Sequence, residues 1–248
     1  MFAYLSGGDS TLYLNVTADA DKYNLATQAS AAGWDGASAI DIVLRISTGV
    51  SIYSTTAATS FDTGSIPAGS SVLIITDGTG AIRGKGGTGG NGASSPTGPG
   101  GDGAVGQAAM NIQYPVTIKL GASGLIFGGG GGGGGGGGNS VSTNAGGGGG
   151  GAGKNGGGGG TGSGTGTNGD PGTATAGGAG GTGSSNGGAG GAPGAAGTNG
   201  DAGIGGAGGS GGAAGKAINL NGNTVTWLDD ANLVTTQPGT SQVKGAVS

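Results

Sequence analysis

Eleven consecutive glycines, Gly128 to Gly138, follow directly on the apolar stretch "GLIF". Glycine loses more backbone freedom on ordering than any other residue. Such a run is either a flexible linker or a segment so enclosed that no side chain fits anywhere along it. Phase decides between the two. Positions 188, 191, 194, 197, 200, 203, 206, 209, 212 and 215 are all glycine, and shorter in-phase sets occur at 84, 87, 90 and at 166, 169, 172. A period of three belongs neither to an α-helix nor to a strand. It is the period of an extended left-handed helix of the polyproline-II type, with three residues per turn.

Collagen shares that period but carries roughly 15–20% proline or more. The glycine triplets from Gly188 hold one proline, Pro193. Single-chain polyglycine-II packing remains, with extended helices side by side exchanging backbone N–H···O=C bonds. A row that faces a neighbour must then be glycine, and a row that faces solvent is free. An edge helix reads G-x-y and a more enclosed one G-G-x, as in "GKGGTGGNG". A surrounded one reads pure glycine. Gly128 to Gly138 becomes the central helix rather than a linker. This logic predicts about eight short three-fold helices, at 84–92, 98–106, 128–138, 145–153, 156–164, 172–181, 187–197 and 203–215. The expected far-end turns are 93–97, 139–144, 165–171 and 198–202. Because the glycine phase runs unbroken through 198–202, the region 187–215 reads equally as one long helix.

The apolar residues lie elsewhere. "TLYLNV", "IDIVLRI" and "SVLIIT" read as strands, as do "NIQYPVTIKL" and "TVTWL". A short helix is expected from Asp19 or Asp21 to Gly33. Pro115 suggests an edge strand. Asn221-Gly222 between two apolar runs predicts a β-hairpin. The expected class is mostly β plus a polyglycine-II helix bundle, with almost no α-helix. The expected domains are a β-rich attachment unit at 1–83, a glycine-rich bundle at 84–215 interrupted by β segment 111–127, and a C-terminal hairpin and tail at 216–248 returning to the base.

Composition narrows the function. The chain has no histidine, no cysteine and a formal charge of −4, and all twelve acids are aspartate. The commonest general bases, nucleophiles and metal ligands are missing. Nucleic-acid binding lacks its basic face. An enzyme, a cofactor and a metal site are not expected. Asp102, Asp170 and Asp201 show no calcium-loop spacing. The start "FAYLSGGDS" has neither the basic region nor the apolar core of a signal peptide, and no membrane insertion is expected.

The β-rich leader, "GKGGTGGNG", and "YPVTIKLGASGLIFGGGGGGGGGGG" resemble glycine-rich bacteriophage tail-fibre proteins. The likeness is to the polyglycine-II tip adhesins of T-even-type phages, and "GNTVTWL…VKGAVS" resembles their closing segment. The resemblance implies a receptor-binding adhesin on the virion tail. It further implies attachment to other tail or fibre proteins through the β-rich base, assembly as an oligomer on the virion, and recognition of a bacterial protein or glycan by far-end turns. The residues this assigns to recognition are Asn139, Ser140, Ser142, Thr143, Asn144, Thr167, Asn168, Asp170, Thr198, Asn199 and Asp201. Trp34 and Trp227 are assigned to the core or to an attachment or oligomer interface. Both "TNGD" motifs also suit plain turn formation. Lys85, Lys154 and Lys216 read as solvated edge residues. The leading reading is the receptor-binding adhesin; the alternative is a purely structural tail fibre or tip component, for which the lack of any aromatic between Phe127 and Trp227 speaks. A third reading is an ice-binding polyproline-II protein.

Overall fold

The structure, a computed structural model, describes residues 2–5, 11–141 and 143–248. The base is a parallel coil with three faces. The chain begins with β1 (Phe2–Leu5). A first coil follows, made of β2 (Thr11–Val16), β3 (Ala20–Asp21), β4 (Tyr23–Asn24) and α1 (Leu25–Ala31). The second coil holds β5 (Asp41–Ile46), β6 (Ser51–Tyr53) and β7 (Phe61–Asp62), and the third β8 (Ser71–Thr76), β9 (Ala81–Arg83) and β10 (Met110–Asn111). The fourth is β11 (Val116–Leu120), β12 (Leu125–Phe127) and β13 (Ile218–Asn219). The end is β14 (Val225–Leu228), β15 (Val234–Thr235) and β16 (Val243–Lys244). Successive coils stack into three sheets, ordered β1-β2-β5-β8-β11-β14-β15, β13-β10-β7-β4 and β16-β12-β9-β6-β3.

Alternation sets the coil's inside. Leu12, Leu14 and Val16 stack on Ile42, Leu44 and Ile46, then on Val72, Ile74 and Thr76, in a register where Thr11, Asp41 and Ser71 are partners. The second face adds Ile52, Ile82, Ile126 and Val243, and the third Tyr23, Phe61, Met110 and Ile218. Tyr23 stacks on Phe61 with ring centroids 6.0 Å apart. Each fully buried large side chain contributes about 1.5–3 kcal/mol.

Several local expectations are corrected. The helix begins at Leu25, because residues 20–24 pair in two sheets; Asn24 caps it by accepting from the Thr27 N–H at 2.9 Å. Pro115 marks no edge. It precedes β11, which lies between β8 and β14, so its missing N–H falls outside the ladder. Asn221 and Gly222 do take positive φ, 47° and 81°. They nevertheless form a corner: β13 pairs parallel with β10, and β14 pairs parallel with β11. The antiparallel pair here is β14 with β15.

All the glycine-rich chain issues from one corner of this coil, between the second and third faces. In the first coil that corner is Lys22 alone, and in the second it is 54–60. In the third it is 84–109, and in the fourth 128–217. The hydrogen-bond pattern resolves the two large insertions into ten extended passes rather than eight: 84–93, 98–107, 128–138, 145–153, 156–162, 166–173, 176–182, 186–193, 195–203 and 206–216. Bonds step along each pass by three residues. Gly84, Gly87, Gly90 and Ala93 donate to Phe127, Gly130, Gly133 and Gly136.

The pure-glycine run is saturated. Every N–H from Gly128 to Gly138 donates to a backbone carbonyl, at 2.8–3.0 Å. Every carbonyl accepts, the Gly137 oxygen from the Ser185 hydroxyl and the rest from backbone N–H groups. Most partners lie on six other passes, 84–93, 98–107, 145–153, 186–193, 195–203 and 206–216; the others are Lys244, Ser185 and the turn residues Gly194 and Gly205. Gly146 to Gly151 are bonded on all sides in the same way. Two enclosed passes thus share a ring of eight outer ones. A Cβ at any position from Gly128 to Gly138 would overlap a backbone oxygen, whereas at Gly158 it would meet nothing within 4 Å.

Two expected turns are not turns. The chain reverses at Gly164 (φ 57°) and at Gly194 (φ 69°), the two glycines of this region with positive φ among the described residues. Residues 198–202 therefore lie inside the pass 195–203, bonded to 186–189 and 209–212, and most of 165–171 lies in the pass 166–173.

The bundle is tied to the base at the turn 153–155. Lys154 Nζ lies 2.8 Å from Asp19 Oδ2, and the Asn155 amide donates to the Ser54 carbonyl at 3.4 Å. The Lys154 hydrogen bond holds the Asp19 carboxyl below its ordinary pKa, aided by the Ser51 N–H and opposed by partial burial.

Two predictions follow from packing and charge. Gly133→Val should cost at least about 3 kcal/mol, since backbone must move to admit it, while Ala207→Ser, on an exposed row, should leave the thermal midpoint unchanged. Equal midpoints for both variants would contradict the enclosure of Gly133. Asp19 has a depressed folded pKa, so its stabilisation is present above the unfolded carboxylate value and is lost as pH falls through the folded one. Asp19→Asn should therefore destabilise slightly at about pH 6, as exposed pairs do, and the gap to the parent should close on acidification; a gap that widens would contradict the ion pair's role.

Candidate far-end recognition surface

Because passes alternate in direction, the turns fall at two ends. Turns at 153–155, 174–175 and 193–194 face the base. Those at 94–97, 139–144, 163–165, 183–185 and 204–205 form the far end.

The far-end turns are tied to one another. The Asn144 side-chain oxygen accepts from the Thr165 N–H at 3.0 Å, and the Asn144 carbonyl accepts from Ser184 N–H at 2.7 Å. The Ser163 hydroxyl reaches the Ala93 carbonyl at 2.6 Å and also the Thr143 carbonyl. Gly205 and Gly206 N–H groups both donate to the Gly138 carbonyl, at 3.0 and 2.9 Å. Three of the five turns, 139–144, 163–165 and 183–185, thus meet at Asn144, and the 204–205 turn is fastened to the end of the central pass.

The expected recognition residues divide. Asn139, Ser140, Thr143 and Asn144 are at the far end; Ser142 lies outside the described residues. Thr167 and Asn168 sit just inside it, where Thr167 Oγ1 accepts from the Thr182 N–H at 2.7 Å and Asn168 Oδ1 from the Gly162 N–H at 2.9 Å. Asp170 is exposed further along that pass. Thr198, Asn199 and Asp201 belong to the flank. Their side chains bond Ala189 N–H at 2.8 Å, Gly211 N–H at 2.8 Å and the Asn186 amide at 3.1 Å. The turn at Gly194 displaces them, because a glycine in phase with its row also supplied the positive φ. Ser163, Ser184 and Ile204 stand on the same turns and were not among the expected residues. Ile204 was legible as an isolated aliphatic among glycine and alanine.

Trp34 and Trp227 are core residues. They are 8% and 6% exposed, and the Trp34 indole N–H donates to the Ser38 carbonyl at 2.9 Å. Both rings pack against the apolar core of the coil. Among the described residues no three carboxylates gather where they could hold a metal ion, and no helix is long and apolar enough to cross a membrane.

The model of one protein family, the phage tail fibre adhesin Gp38, matches residues 11–246, and the chain belongs to that family. It is accordingly a receptor-binding adhesin of the phage tail fibre, carried on the virion tail, and the family is one of adhesins rather than of enzymes. A similar solved structure is the gp37–gp38 adhesin tip complex of the bacteriophage S16 long tail fibre. The identity is 26% and the TM-score 0.57, over 89% of this chain and 79% of that one. A search of curated proteins found no match.

Asn144→Ala removes the acceptor of the Thr165 N–H, at a cost of about 1 kcal/mol. Amide exchange at Thr165 should quicken while that of Gly133 stays slow; unchanged exchange at Thr165 would contradict the tie between the turns.

Proposed function

We propose that this adhesin is fixed to the tail fibre by its β-rich base and meets the host with the far end of its glycine-rich part. The base comprises 1–83, 111–127 and 216–248, and the glycine-rich unit the rest of 84–215. That unit is a polyglycine-II bundle. The three-residue step of its bonds, the negative φ at all but its turn glycines, and the glycines on every inward row support this reading. The passes are extended, at about 3.1 Å per residue. They therefore carry the far turns roughly 30 Å from the corner they leave, clear of whatever holds the base.

The observation that carries the orientation is the single corner. Every insertion leaves and re-enters the coil there, so the turns opposite it are the part of the molecule furthest from the coil. The S16 neighbour is a complex of gp38 with gp37, and a second fibre protein of that kind is the partner expected at the base. The receptor is a protein or glycan on the bacterial surface.

Fluorescently labelled protein should bind cells of a susceptible strain. A variant with residues 139–144 and 163–165 scrambled should lose that binding and keep its fold. Binding that survives scrambling would move the site to the base and overturn the orientation.

A further inference from the structure

Six asparagines are followed directly by glycine: Asn91, Asn155, Asn168, Asn186, Asn199 and Asn221. Asparagine is among the thermolabile residues. Its side-chain amide carbon can be attacked by the backbone nitrogen of the next residue, and a glycine there, having no Cβ, leaves the ring closure unhindered. The attack needs that nitrogen free and the side chain able to turn toward it. The lattice denies both at four of the six. The Gly92, Gly169, Gly187 and Gly200 N–H groups donate to backbone carbonyls at 2.8–2.9 Å. The side chains before them are held as well. Asn91, Asn168 and Asn199 each accept from a backbone N–H at 2.8–3.0 Å, and Asn186 donates to Asp201 at 3.1 Å.

The other two differ. The N–H groups of Gly156 and Gly222 have no partner among the described residues. The Asn221 amide is still held, donating to Asn111 Oδ1 at 2.7 Å and to the Ile112 carbonyl at 3.1 Å. The Asn155 side chain makes one long bond among the described residues, 3.4 Å to the Ser54 carbonyl. It is half-buried, within reach of water, on the turn that ties bundle to base.

We infer that Asn155 is a self-modification site, at which this protein deamidates without an enzyme. The Gly156 nitrogen loses its proton to solvent base and bonds to the Asn155 side-chain carbon. The bond from that carbon to the amide nitrogen breaks, and ammonia leaves, the lost proton returning with it from solvent. Water then opens the cyclic imide at either carbonyl, giving aspartate or isoaspartate at position 155. One water is consumed, one ammonia is released, and nothing is oxidised or reduced. The product sits at the joint. A carboxylate cannot donate to the Ser54 carbonyl, and it sets a negative charge beside Lys154, which Asp19 otherwise holds. Isoaspartate also lengthens the main chain at the residue whose carbonyl accepts from the Gly86 N–H at 3.2 Å. The tie between bundle and base thus loosens with age.

The test follows the full chain in warm, mildly alkaline buffer by peptide mass spectrometry. Asn155 should convert at least about tenfold faster than the four bonded pairs, which react only when the lattice opens, and faster than Asn221. In urea the six should draw level. Equal rates in the folded protein, no conversion at Asn155, or another of the six in the lead would overturn the assignment. So would a lead for Asn155 that persists in urea, because it would come from local sequence and not from the fold. Aged protein should exchange the Gly86 amide faster than fresh protein while Gly133 stays slow; unchanged exchange at Gly86 would overturn the loosening.

Discussion

The structure depends on backbone amides finding backbone carbonyls across a separation that admits no Cβ. In the pass 128–138 each residue gives one bond and takes at least one, and the partners rotate among surrounding passes every third residue. An unpaired buried amide is costly, and so is a side chain wedged into such a lattice. Both penalties vanish only when the inward rows are glycine. The entropy of ordering so much glycine is the opposing term, on the order of 1–2 kcal/mol per residue. Cooperative bonding on all sides must offset it, which is why the enclosed passes have so few free groups.

The base makes that cooperation possible. Its coil is an ordinary apolar core, with Leu14, Leu44 and Ile74 stacked from coil to coil. It fixes where each insertion starts and stops. At the edge where the chain departs, Tyr53, Arg83, Phe127 and Lys244 stand in register, and the Arg83 guanidinium lies 5.1 Å from the centre of the Phe127 ring. The final strand closes the arrangement, because the Lys244 carbonyl takes the first N–H of the glycine run. Chain from the fourth coil and from the last residues is therefore joined at the root of the glycine-rich passes.

Much of this was legible in the sequence. Pure glycine announced an enclosed segment, and G-G-x and G-x-y announced progressively outer ones. The turns were harder. Glycine on a row and glycine at a reversal look alike, so Gly194 hid a turn and the second "TNGD" suggested one falsely. The coil was present as an unused repeat: the inward triplets 12/14/16, 42/44/46 and 72/74/76, apolar but for Thr76, recur every thirty residues, the mark of stacked coils. Read singly, they gave strands without their topology. For the same reason Asn221-Gly222 passed for a hairpin, since a local turn signal cannot say whether the next strand pairs with the last one or with a strand a hundred residues earlier. At the far end the polar turns were visible, but the bonds that tie 139–144 to 163–165 and 183–185 join residues whose sequence carries no sign of the pairing.

The most direct test is amide hydrogen exchange across Gly128 to Gly138. A glycine linker exchanges at nearly the unprotected rate, and a fully bonded interior exchanges only on wide opening. The account predicts protection of all eleven amides, comparable to that of Leu44 and Ile74 in the coil. Fast exchange through the run, in a protein whose coil is protected, would contradict it.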